Sequence, residues 1–120
     1  MRYLYIDAFS NLTLHDRAPL SLDEMQGLVG GYIENIWGTE PQPDGTRLMV
    51  IDNEEGHQLH LAPSVRFPKV YTVGGYLVGP VIIMAVDAEG EQTDLSDAQL
   101  AAVRVERREG DAFPTLHIRG

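Results

Sequence analysis

The most informative stretch of the sequence is Val81-Ile82-Ile83-Met84-Ala85-Val86, in which every residue is apolar. Successive side chains of a β-strand point to opposite faces of the sheet, so this run predicts a strand that is buried on both faces. Pro80 precedes the run, and Asp87-Ala88-Glu89-Gly90 follows it as a turn. A membrane-spanning helix would need about 20 predominantly apolar residues, and this run is far shorter.

Two short helices are predicted on either side of this strand, each from a capping box at its N-terminus. The boxes pair Ser21 with Glu24 and Ser96 with Gln99. In such a box the serine side chain accepts the backbone N–H three residues later, and the Glu or Gln side chain returns to the serine N–H. We expect helices over Leu22–Val29 and Asp97–Val103, the first ended by Gly30 in a left-handed conformation.

The rest of the chain reads mainly as strands. Alternation of apolar and polar residues predicts strands at Arg2–Phe9, Tyr32–Trp37, Arg47–Asp52, Gln58–Leu61 and Phe113–Ile118, the last as an edge strand. Residues 47–61 then form a hairpin, while 63–68 is irregular. The sequence predicts one α+β domain over residues 1–103, with a mostly antiparallel sheet of four to six strands, and a C-terminal extension over 104–120.

Composition excludes several classes of function. The chain has 120 residues with 18 acidic and nine basic side chains, a net charge of −9, and no cysteine. A protein that binds nucleic acid directly needs clustered Lys and Arg, so we expect no such partner. Thiolate catalysis and disulfides are excluded as well. Asp7 interrupts the first apolar stretch, so we expect no signal peptide, no membrane association and a cytoplasmic location.

The best candidates for a small-ligand site are Asn53, Glu54 and His57, together with the Gly74-Gly75 bend. A nucleotide or metabolite would bind there, and an enzyme would use the same constellation. The glycine-rich stretch itself is not a phosphate loop, because it opens into a strand, whereas a phosphate loop opens a helix whose N–H groups face the anion.

No catalytic, metal or cofactor site is predicted. His57 and His60 stand three residues apart, and residues three apart on a strand point to opposite faces, so they could share one ion only if His57 belongs to the preceding turn. The acidic run over 87–97 lacks the glycine position of a calcium loop. No serine has the flanking glycines of a nucleophile elbow.

Four aromatic residues suggest an interface. Tyr3, Tyr5, Tyr32 and Trp37 lie on predicted strands whose other positions already supply a core. Two short helices cover only one face of a sheet, so the second face would expose a large apolar patch, and such patches mark interfaces. We therefore expect a homodimer. The alternative is that the loop 38–45 or the tail 104–120 folds over that face.

Several stretches together resemble a family of domains of unknown function, of the DUF3846 type. They are Gly31-Tyr32-Ile33-Glu34, Asp52-Asn53-Glu54-Glu55-Gly56, Leu61-Ala62-Pro63, Gly79-Pro80-Val81-Ile82 and Asp94-Leu95-Ser96-Asp97. The resemblance covers residues 1–103. It implies a small protein of phages, plasmids or bacteria, in some cases beside anti-restriction genes, and it implies no activity.

Two functions follow as expectations. The first is a non-enzymatic protein that binds another protein, as a mobile-element accessory whose acidic face could mimic nucleic acid. The second is a small-ligand-binding domain, or a small enzyme, built on Asn53, Glu54 and His57. A cleft with converging polar groups favours the second, and a flat acidic surface favours the first.

Overall fold

A computed structural model describes residues 1–70 and 75–119 and gives an α+β fold. In chain order the elements are β1 (Arg2–Ile6), β2 (Leu12–Asp16), α1 (Leu22–Val29), β3 (Ile33–Gly38), β4 (Arg47–Asn53), β5 (Pro63–Arg66), β6 (Tyr76–Val78), β7 (Val81–Val86), β8 (Gln92–Thr93), α2 (Asp97–Ala102), β9 (Val103–Glu106) and β10 (Thr115–Ile118). Pairing is mostly antiparallel, so the predicted class is confirmed. Among the described helices, none is long and apolar enough to cross a membrane.

The apolar run at 81–86 is the central strand β7. The first sheet has the order β2-β1-β7-β4-β3, with every pair antiparallel, and β8 pairs with the end of β7. All six residues of β7 are buried. The prediction of a strand covered on both faces is therefore confirmed.

Two separate apolar clusters cover the two faces of β7. The first contains Val81, Ile83 and Ala85 and is closed by the second sheet; its other buried members are Leu4, Ile6, Leu48, Val50, Val65, Phe67, Leu77, Leu95, Val103, Leu116 and Ile118. The second contains Ile82, Met84 and Val86 and is closed by α1; it also includes Tyr3, Leu20, Val29 and Ile51. The alternation of side chains along one strand thus divides the interior into two cores.

Helix α1 has the predicted bounds and the predicted caps. The Ser21 side chain accepts the Glu24 backbone N–H, and the Glu24 side chain accepts the Ser21 N–H. Gly30 ends the helix at a φ of +83°, where a residue without Cβ is favoured. The same hydrogen bond from the Ser21 backbone, with the Arg17 ion pair beside it, holds the pKa of Glu24 below its ordinary value.

Helix α2 also has both hydrogen bonds of its capping box, between Ser96 and Gln99. It is one residue shorter than predicted, since Val103 has extended backbone and begins β9. The Arg2 guanidinium fixes its start through ion pairs to Asp94 and Asp97. These contacts hold α2 against the N-terminal strand of the first sheet.

The second sheet has the order β6-β5-β10-β9 and corrects the predicted architecture. The described strands form two sheets, not one of four to six strands. Strand β10 pairs parallel with β5 on one side, where Thr115 is opposite Arg66, and antiparallel with β9 on the other. The prediction of an edge strand at the C-terminus is therefore wrong, and the tail supplies an interior strand.

Two local predictions are also wrong. Residues 58–60 form turns, because Leu59 N–H bonds to Glu55 C=O and Leu61 N–H bonds to Gly56 C=O, so 47–61 is not a hairpin. The segment predicted to be irregular contains β5, which is identified by its partner strands and not by its own sequence pattern. Strand β2 was not predicted, and it pairs with β1.

We predict that Ser21→Ala and Ser96→Ala each lower the free energy of unfolding by about 0.5–2 kcal/mol, because each leaves a helix N–H without its acceptor. Denaturant melts of the two variants measure the loss. The Ser→Gly replacement at either position should cost only a few tenths of a kcal/mol. A Ser→Ala variant with unchanged stability would contradict the capping assignment.

We predict that Leu116→Ala lowers the free energy of unfolding by about 2–5 kcal/mol, because the side chain is fully buried between the sheets. The matched control is Leu14→Ala on β2, where the leucine is exposed and the change should stay within about 0.5 kcal/mol. Equal losses in the two variants would show that β10 does not contribute to the core.

Candidate functional site

Asn53, the first of the predicted ligand residues, is buried and fully engaged. Its side-chain N–H donates to the Val29 carbonyl at 3.1 Å, and its Oδ1 accepts the Glu55 N–H at 2.8 Å. The amide therefore links the end of α1 to the turn after β4. Both ends of the side chain are occupied by the protein's own backbone, so it has a structural role in this arrangement.

The other predicted ligand residues that the structure describes are not buried with Asn53. Glu54 and His57 are exposed on the turn after β4. Gly75 has a φ of +72°, with nothing within 4 Å of the position of a Cβ. Gly74 lies outside the described residues. Neither of the two clefts described below is lined by Asn53, Glu54, His57 or Gly75.

Two of the predicted interface aromatics are part of the α1 side of the fold. Tyr3 is only 3% exposed and stacks on His15, with ring centroids 5.0 Å apart. Tyr5 is half-buried, and its hydroxyl donates to the Leu28 carbonyl at 2.9 Å. These side chains pack the strand against the helix and do not form an open patch.

The other two aromatics lie elsewhere. Trp37 packs at the edge of the first core, edge-on to Phe67. Tyr32 is 63% exposed. The four residues thus do not share one face: Tyr3 and Tyr5 are covered by α1, whereas Trp37 packs on the side of the second sheet. The homodimer stays a prediction, without the continuous aromatic patch that suggested it.

A pair of carboxyl groups lies on adjacent strands of the first sheet. Asp52 on β4 is opposite Glu34 on β3, and the Asp52 side chain is 7% exposed, with an Oδ1 that has no hydrogen-bond partner among the described residues. Burial, reinforced by the nearby Glu34 carboxylate, raises the pKa of Asp52 to about 7. Within the described ranges no cluster of three His, Asp or Glu residues is arranged to hold a metal.

A cleft lies between α2 and the hairpin of β3 and β4, with a volume of about 560 Å³. Its apolar walls come from Leu48 on β4 and from three alanines of α2, while Gln99 lines it from the same helix. Small side chains on one face of α2 leave this space open. The volume is in the range of small-molecule sites, about 300–1,000 Å³.

Gln99 is the most informative residue of this cleft, which we name the α2 cleft. Its side chain is 4% exposed, and its Oε1 accepts the Ser96 N–H at 2.9 Å. Its Nε2 has no hydrogen-bond partner in the described part of the chain. A buried N–H without an acceptor costs about 1–3 kcal/mol, and because this atom is shielded from solvent, an acceptor in the cleft reaches it only if the Gln99 side chain moves.

Two further donors line the α2 cleft. Thr39 Oγ1 accepts the Leu48 N–H at 2.9 Å, which leaves the hydroxyl proton available to donate. Arg119 follows β10, and its guanidinium makes no ion pair with any described residue. Glu40 and Gln42 add acceptors to the same wall. A hydroxyl donor, a cation and the acceptors of Glu40 and Gln42 therefore line an apolar space.

A second cleft of about 320 Å³ shares a wall with the first and is basic. Ala101, Ala102 and Arg119 line both clefts, and Lys69 and Arg104 line the second. Pro68 and three residues of β10 complete it. We name it the basic cleft, because among the residues that the structure describes no Asp or Glu lines it.

The comparisons with known proteins identify the family of the chain but no activity. The sequence model of DUF3846, a domain of unknown function, matches residues 1–108. The chain belongs to the DUF3846 family. Neither a curated protein nor a solved structure matches the sequence.

The DUF3846 match covers some residues of the candidate site and not others. Thr39, Lys69 and Gln99 lie within the matched residues, whereas Arg119 and the strand β10 follow them. The cation shared by the two clefts is thus supplied by the segment beyond the match. The family description assigns no chemistry to either cleft, so the function rests on the contacts themselves.

Sequence reasoning missed the residues of both clefts. Gln99 was identified as a helix-capping residue, which uses its Oε1 and says nothing about Nε2. Thr39 and Lys69 lie in segments without a recognisable motif, and Arg119 is brought to α2 only by the pairing of β10 with β9. The one available signal was the concentration of alanines in 98–102, which predicts a helix face with little side-chain volume.

The carboxyl pair predicts a pH-dependent stability. Between the ordinary pKa of 3.8 and the raised value of about 7, the folded state holds more protons at Asp52 than the unfolded state does. The contribution of Asp52 to stability is therefore fully present at low pH and falls as the pH rises to about 7. Asp52→Asn should be more stable than the wild type at pH 8, by on the order of 2 kcal/mol, with little difference at pH 4.

Urea melts at pH 4, 6 and 8 measure this difference. Glu34→Gln is the matched variant, since it removes the neighbouring charge and should reduce the pH dependence without abolishing it. A difference between Asp52→Asn and the wild type that does not change with pH would contradict the raised pKa.

Proposed function

We propose that this DUF3846 protein binds a small organic anion with an apolar body in the α2 cleft. The observation that carries the proposal is the cleft itself, in which Leu48 and the alanines of α2 form apolar walls and Thr39 and Arg119 supply a hydroxyl and a cation. No reaction is proposed, because the cleft contains donors and a cation but no nucleophile paired with a base.

The charge of the ligand follows from Arg119. A guanidinium that makes no ion pair with the described residues, on the wall of an apolar cleft, favours a carboxylate, sulfonate or phosphate, which it binds by two parallel hydrogen bonds. The body of the ligand would contact Leu48 and the alanines of α2. Burial of that body contributes affinity roughly in proportion to the apolar area removed from water.

This proposal keeps the second function expected from the sequence, the binding of a small ligand, but places the ligand in the α2 cleft and not at Asn53, Glu54 and His57. The cleft with converging donors favours a ligand over a flat protein-binding surface. The expected interaction with a protein partner, the homodimer, the accessory role in mobile elements and the cytoplasmic location stay predictions that these contacts do not test.

A fluorescent anion provides the test. 1-Anilinonaphthalene-8-sulfonate is an aromatic sulfonate that fluoresces in apolar surroundings, and we expect it to bind the native protein with one-to-one stoichiometry. Gln99→Glu keeps the oxygen that caps α2 and replaces the free N–H₂ with an anion, so it should weaken binding at least tenfold, about 1.4 kcal/mol. Arg119→Gln should weaken it by a similar factor.

Two controls separate binding from folding. Ser96→Ala removes the cap of α2 and keeps the Gln99 donor, so the folded variant should bind the dye normally. Arg108→Gln changes the net charge by the same amount as Arg119→Gln, at a residue that lines neither cleft. Dye binding that is the same in Gln99→Glu and the wild type would overturn the proposal.

A further inference from the structure

The two clefts lie next to each other at the end of α2 and share part of their walls. Ala101 and Ala102 lie between them, and Arg119 lines both. The α2 cleft is mainly apolar with an unpartnered amide, whereas the basic cleft has cationic walls. A ligand that occupies both would therefore have an apolar, hydrogen-bonding part joined to an anionic part.

The basic cleft has two cations available for an anion. Arg104 and His117 contact Glu106 at 3.1 and 3.0 Å, and Arg108 shares the same carboxylate. Lys69 and Arg119 make no ion pair within the ranges 1–70 and 75–119. The Lys69 ammonium instead lies 5.1 Å from the centre of the Trp37 ring. Two uncompensated cations in a chain of net charge −9 define a local anion site.

We infer that the ligand is a nucleoside monophosphate, with its base in the α2 cleft and its phosphate in the basic cleft against Lys69 and Arg119. This inference rests on the proposed function and adds the chemical class of the ligand. A nucleobase has flat apolar faces and an edge with both donors and acceptors. The α2 cleft offers alanine and leucine walls, the hydroxyl proton of Thr39 and the acceptors of Glu40 and Gln42.

The phosphate is expected to be single and free, not part of a nucleic acid. Binding of a long polyanion requires many phosphate contacts from clustered Lys and Arg. Here the favourable charge is confined to one cleft, and the chain as a whole has twice as many acidic as basic residues. The remaining surface therefore repels a polynucleotide, while one phosphate group reaches two cations.

The experiment measures binding of AMP, GMP, CMP and UMP to the full chain by titration calorimetry, with adenosine and inorganic phosphate as the two halves of the ligand. Trp37 is the single tryptophan of the chain. A phosphate that engages Lys69 should change the tryptophan fluorescence, whereas adenosine alone should not. We expect at least one monophosphate to bind at least tenfold more tightly than its nucleoside and than inorganic phosphate.

Variants assign each half of the ligand to its cleft. Lys69→Gln should weaken the monophosphate about tenfold and leave the nucleoside unchanged, because it removes one cation of the phosphate site. Gln99→Glu should weaken nucleoside and monophosphate alike. Arg108→Gln, which lies outside both clefts, should change neither.

Each contrary result overturns a different part of this inference. Dye binding that depends on Gln99 and Arg119, without binding of any of the four monophosphates at about 5 mM, overturns this inference and leaves the proposed function standing. Equal binding of nucleoside and monophosphate overturns the phosphate site. Tighter binding of a single-stranded oligonucleotide, with a steep dependence on salt, overturns the assignment to a free nucleotide.

Discussion

The burial of β7 on both of its faces is the constraint on which the rest of the structure depends. A strand with six apolar residues must be covered twice, and the two covers are different in kind: α1 on one face and a second sheet on the other. The neighbours of β7 share this division, since Leu4 faces the second sheet and Tyr3 faces the helix side. Each core therefore contains side chains from several strands of the same sheet.

The position of the candidate site follows from how the second sheet is connected to α2. Helix α2 leads directly into β9, and β10 returns beside β9, so the residue after β10 lies next to the helix. Arg119 is positioned by its backbone N–H, which donates to the Ala102 carbonyl at 2.9 Å. The alanine side chains on this face of α2 are too small to fill the space beside the helix, so a cleft remains there. The clefts thus lie where the second sheet meets the end of the helix.

Local features of the fold could be predicted from the sequence, and features made by distant residues could not. The capping boxes at Ser21 and Ser96 and the apolar run at 81–86 each act within a few residues, and all three were predicted correctly. Strand β5 has no alternating pattern and is a strand because it pairs with β6 and β10. The unpartnered atom of Gln99 likewise depends on what surrounds the helix, and no pattern along the chain reports that.

The parallel pairing of β5 with β10 has a consequence for how the chain reaches this structure. Residues 66 and 115 must meet before the second sheet is complete, so the strand between β5 and β9 is added last during synthesis from the N-terminus. Until then the core on this face of β7 lacks the side chains that β9 and β10 contribute, among them Val103 and Leu116. Contacts between residues so far apart in sequence slow folding, so completion of this core is expected to limit the rate at which the chain folds.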